Sequence, residues 1–129
     1  MRAGDTYIRA GRHIKADPHL WVVISDPTKD RGKLVVVNLT KQRTDKEQTC
    51  VIQPGEHPFV TEETVIMYRG ARIVSEAMIL SATQNGMLRL HSAVSKPLLD
   101  RIRKGAEDSH MLPTAARRVL IDQGLISEQ

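Results

Sequence analysis

The stretch Leu20–Thr40, LWVVISDPTKDRGKLVVVNLT, decides the fold. Two apolar runs, Leu20–Ile24 and Leu34–Leu39, flank a polar insert from Ser25 to Lys33. Branched Val and Ile side chains lose less freedom in a pleated strand than in a helix, so both runs read as strands. Asp26-Pro27 and Asp30-Arg31-Gly32 supply turn chemistry between them, which makes a long-looped antiparallel hairpin. Neither run alternates apolar with polar residues, so both faces of the hairpin should be covered.

Around this hairpin the chain offers further short strands. Thr6-Tyr7-Ile8 precedes a loop from Arg9 to Pro18, which has no apolar period and is long for a small domain. After a charge-mixed loop, 40–48, come Thr49–Gln53, an edge strand at His57–Val60, then Thr64–Tyr68 and, past Gly70, Ala71–Val74. Between Ser75 and Gly86 the pattern favours a helix capped by Ser75, with an Asn85-Gly86 hairpin linking Met78–Ala82 to Met87–His91 as the alternative. Two helices close the chain. Ser95 caps one with Pro97 in its first turn and Leu98, Leu99 and Ile102 in a stripe, and the other runs Thr114–Gln123 between Pro113 and Gly124. The expected fold is mainly β with C-terminal helices: a small SH3-like antiparallel barrel. The barrel with its first helix takes residues 1–106, and 107–129 form a linker and an additional helix, either in the same domain or as a partner-docking extension.

Composition narrows the function. The 129 residues suit one domain, and an apolar fraction of 40% with 26% charged is ordinary for a globular protein. A net charge of +4 permits contact with a polyanion without demanding it. Aromatics make up only 3%, which argues against a protein that stacks successive bases on aromatic platforms. The lone Cys50 excludes an internal disulfide and reads as a buried hydrophobe in a reducing cytosol. No apolar run approaches membrane-spanning length, so a cytoplasmic protein with no membrane contact is expected. No spacing of His, Cys or acidic residues matches a metal motif, and no cofactor loop is present, so neither metal nor cofactor is expected.

The order of these pieces resembles the MazF/PemK family of bacterial toxins. Gly4-Asp5 resembles the family's opening Gly-Asp, Val22–Ser25 its second strand, and Val36–Thr40 its third strand with a terminal Thr. Val65–Val74 is similar to the later strand pair, and Val94–Leu99 to the start of the C-terminal helix. The likeness spans residues 4–106. Where the family carries Arg-Pro before its second strand, this chain reads Asp17-Pro18-His19-Leu20; its first loop is shorter, Ser81–Gly86 looks inserted, and Leu112–Gln129 extends past the usual end.

The resemblance implies a MazF/CcdB-like fold and a metal-independent endoribonuclease, homodimeric, acting on single-stranded RNA and neutralised by a cognate antitoxin. Such cleavage needs a base for the 2′-hydroxyl, an acid for the leaving 5′-oxygen and cations for the phosphate. On this reading Arg12 or Arg9 replaces the family's Arg as phosphate clamp, His13 or His19 serves as acid or base, and the Thr40 hydroxyl donates to a phosphate oxygen. Lys15, Lys41 and His57 are candidate substrate contacts. Taken singly, these residues read as a solvated basic loop, and their convergence rests on the resemblance. The alternative is a non-catalytic member of the same fold that acts by protein binding, as a gyrase poison or a regulatory module.

Overall fold

The computed structural model describes residues 1–10 and 19–128. Arg12, His13 and Lys15 therefore lie outside the described residues. The element order is β1 (Thr6–Arg9), β2 (Leu20–Val23), β3 (Lys33–Lys41), β4 (Val51–Ile52), β5 (Thr64–Ser75), α1 (Glu76–Gln84), β6 (Leu88–His91), α2 (Lys96–Asp108) and α3 (Thr114–Asp122). The strands form one curled sheet in the order β4-β5-β3-β2-β1-β6, and every pairing is antiparallel.

The hairpin forms as its composition requires, with Trp21 opposite Asn38 and Val23 opposite Val36. Its lack of alternation has the expected cause, because both faces are packed. Leu20, Val22, Ile24, Val35, Val37 and Leu39 point into a large core closed by Leu98, Leu99 and Ile102 of α2 and Ala116 and Leu120 of α3. Val23, Leu34 and Val36 point the other way, where Tyr7 and Ile79 of α1 complete a smaller core. Leu34, Val35, Val36 and Val37 are all 0% exposed. Burying each such side chain is worth about 1.5–3 kcal/mol, so these two cores are the main source of stability. Leu112, Ala116, Leu120 and Ile126 join the same large core as the barrel strands.

Helix α2 lies close to the sheet. The Tyr68 hydroxyl donates to the Ile102 carbonyl at 2.7 Å, and a Cβ built on Gly105 would come within 2.1 Å of that hydroxyl oxygen. Only a residue without a side chain fits there. Downstream, the Glu107 carboxylate is pushed down to about 2, first by Lys104 and then by the Ser127 amide that it accepts.

Four expectations are corrected. Thr49–Gln53 shrinks to Val51–Ile52, because the preceding residues bond locally: the Thr49 hydroxyl donates to Glu47 at 2.6 Å and Gln48 Nε2 to the Lys46 carbonyl at 2.8 Å. His57–Val60 is a compact turn instead of an edge strand, with the Val60 amide donating to the His57 carbonyl at 2.9 Å. Gly70 does not separate two strands. β5 runs through it for 12 residues and bulges, so that Tyr68–Ala71 lie across from Val37 alone. Gly70 suits the bulge because a Cβ there would sit 3.0 Å from Asn38 Oδ1. Finally, Leu88–His91 is a strand on β1 although the helix at 76–84 also forms. Asn85-Gly86 ends that helix, with the Met87 amide donating to the Ala82 carbonyl and the Gly86 amide to Thr83, a Schellman closure.

Candidate functional site

The candidate site lies where β2 begins and β3 ends. The β2–β3 register, carried past Leu20, sets His19 opposite Thr40. His19 is tied there: its Nδ1 lies 3.1 Å from the Leu39 carbonyl oxygen. A carbonyl can only accept, so Nδ1 carries the proton, and the neutral ring keeps its lone pair on Nε2. That tautomer leaves Nε2 as the ring's basic nitrogen.

His19, Leu39 and Thr40 line a cleft of about 530 Å³. Its cations among the described residues are Lys41 at the end of β3 and Arg43 and Lys46 from the β3–β4 loop, and Phe59, Thr61, Glu62 and Thr64 complete the lining. The loop carrying the cations is braced by Gln48, whose Nε2 donates to the Arg43 carbonyl at 3.0 Å and the Lys46 carbonyl at 2.8 Å. Among the described residues the arrangement offers one imidazole, the hydroxyls of Thr40, Thr61 and Thr64, three cationic side chains and the Glu62 carboxylate around a single space. It can take up a proton and hold a phosphate charge. Among the described residues no group of three or more His, Cys, Asp or Glu converges on a point where a metal ion would sit.

His19, Thr40 and Lys41 thus lie together. Arg9 stands one strand away, at the end of β1 opposite Leu88, exposed and outside the residues that line the cleft. His57 is not at the surface. It is 2% exposed, its Nε2 donates to the Ser92 carbonyl at 2.6 Å, and its Nδ1 accepts the Phe59 amide at 3.0 Å. With both ring nitrogens used within the fold it has no atom left for a substrate. Its neighbour Glu56 pairs with Arg101 instead, which holds that carboxyl below the usual range. Arg43, Lys46, Phe59, Thr61, Glu62 and Thr64 were missed by sequence reasoning. The mixed charge of 41–48 was a signal for the first two, but nothing local joined it to residues 59–64.

No protein-family model matches the chain, and no curated protein matches it. Its backbone, however, matches a chain of the MazE–MazF crystal structure (Form-III) from Deinococcus radiodurans, with a TM-score of 0.55 over 88% of this chain and 98% of that one. The protein has a MazF-like fold. Sequence identity across this MazF-like match is 10%, so what is shared is the architecture, and the site has to be judged on its own residues. Asp17 precedes Pro18 ahead of β2, and His19 lines the cleft. No helix among the described residues is long and apolar enough to cross a membrane.

Proposed function

We propose that the protein is the toxin of a toxin–antitoxin pair, a homodimeric endoribonuclease that cleaves single-stranded RNA without metal. The observation that carries this reading is the convergence of His19 and Thr40 on one cleft edged by Lys41, Arg43 and Lys46. His19 Nε2 takes the 2′-hydroxyl proton, and the 2′-oxygen attacks phosphorus. The bond from phosphorus to the 5′-oxygen breaks, leaving a 2′,3′-cyclic phosphate and a 5′-hydroxyl. His13 returns a proton to that oxygen, and the Thr40 hydroxyl, Arg12 and the cations of the β3–β4 loop stabilise the crowded phosphate charge. Arg9 and Lys15 steer RNA toward the cleft. The 107–129 segment, by its burial with the barrel strands, belongs to the same domain on this reading.

An antitoxin partner is supported by the shared fold, since the matching chain comes from a complex named MazE–MazF. The test is incubation with a defined single-stranded RNA in EDTA, which should yield discrete fragments ending in cyclic phosphate. Untouched RNA together with inhibited gyrase supercoiling would select the alternative of a binding toxin. That alternative draws on one observation, the missing Arg before β2.

A further inference from the structure

We propose that the Phe59–Glu62 wall of the cleft is a nucleobase subsite selective for guanine. This rests on reading the cleft as an RNA site and adds which base it holds.

Phe59 is the aromatic residue placed to stack on a base. Tyr7 and Tyr68 are buried, and the Trp21 ring is covered by the Arg72 guanidinium at 5.0 Å. Phe59 is half-buried and lines the cleft. Its position is set in advance. Its amide is held by His57, which is itself anchored to Ser92, and its ring meets His91 edge-on at 6.0 Å and 85°. A platform fixed before binding loses little freedom when a base stacks on it. The cleft volume of about 530 Å³ falls within the range of small-ligand sites, so a nucleotide can be accommodated.

Glu62 supplies the selectivity. Among the described residues it is the one acid in a cleft whose other charged residues are cations, it is exposed, and it has no ion-pair partner. A carboxylate repels phosphate, so its useful partner is a base edge. Its main chain is held, because the Thr64 hydroxyl donates to the Glu62 carbonyl at 2.9 Å. An ionised carboxylate only accepts hydrogen bonds, through two oxygens side by side. Guanine presents N1–H and the N2 amino group side by side and satisfies both. Adenine and cytosine set one amino donor beside an acceptor nitrogen, and uracil sets its N3–H between two carbonyls. Each of these leaves one carboxylate oxygen facing an acceptor or nothing.

The test is fluorescence anisotropy with four labelled 2′-fluoro pentanucleotides, UUXUU, which cannot be cleaved. Binding should be at least about ten-fold tighter for X = G than for X = U. Glu62→Gln should bring all four within about two-fold of one another, and Phe59→Leu, which keeps an apolar side chain in the core, should weaken all four about ten-fold. Equal binding of the four by the unmodified protein overturns the proposal. So does a Glu62→Gln protein that binds all four more tightly by one common factor, since Glu62 is then only a rim charge. A protein that prefers guanine yet cleaves no RNA keeps the subsite and removes the nuclease. One that cleaves RNA with no preference at X removes the subsite alone.

Discussion

The His19 strand entry brings a histidine into the cleft, the His57 turn places one behind the Phe59 that lines it, and the two are built in opposite ways. His19 uses one ring nitrogen to hold its place against Leu39, and among the described residues its other nitrogen has no hydrogen-bond partner. His57 uses both, one toward Ser92 and one toward Phe59, and is sealed from solvent. A catalytic imidazole needs a nitrogen that the fold does not consume, whereas a structural one is worth most when both are consumed. Residue type says nothing about which is which. Hydrogen-bond accounting shows which ring keeps a nitrogen that the described fold does not use.

This contrast breaks most sharply at His19. His19→Ala should lower RNA cleavage by about 10²–10⁴-fold while thermal stability stays unchanged, as single-turnover kinetics and a melting curve would show. The reverse pattern belongs to His57. His57→Ala removes the acceptor of the Phe59 amide and opens a void, so urea titration should register a loss of about 2–3 kcal/mol. Cleavage per folded molecule should change far less than in His19→Ala. A His57 variant that folds normally but is inactive would invert the two roles.

Smaller effects sharpen the comparison. Thr40→Val keeps the shape of the strand end and removes the hydroxyl, so kcat should fall about ten-fold with stability intact. The weakest effect is pH-dependent. Burial first, then the neighbouring His57 and Arg89, hold His91 below its ordinary value near 6.5. The folded state then binds fewer protons than the unfolded state, so this contribution is complete above about pH 6.5 and is lost as pH falls through that window. The melting temperature should drop between pH 7.5 and pH 5.5, and by less in His91→Gln. The groups around this pair are His57 with Glu56 and Arg101 on the turn side and Arg89 on β6.

Much of the fold was legible because its strongest signals are local. The unbroken Leu34–Val37 run announced a strand covered on both faces, and two distinct cores indeed flank it. Ser95 and Pro97 marked the start of α2 for the same reason, since caps are decided within a turn. β6 was hidden. Leu90 is 49% exposed and Leu88 is only partly covered, so their pairing with β1 leaves little trace in the apolar pattern. At the site, Thr40 and His19 could be found because each ends or begins an apolar run. Phe59 and Glu62 could not, because they reach the cleft only through a turn whose shape depends on His57 meeting Ser92, 35 residues away.

The most direct test of His19 as the base is a time course on a 5′-labelled single-stranded RNA in EDTA, run with the unmodified protein and with His19→Ala. Cyclic-phosphate fragments from the first and intact RNA from an equally stable second are the expected result. Equal cleavage by both proteins would contradict it.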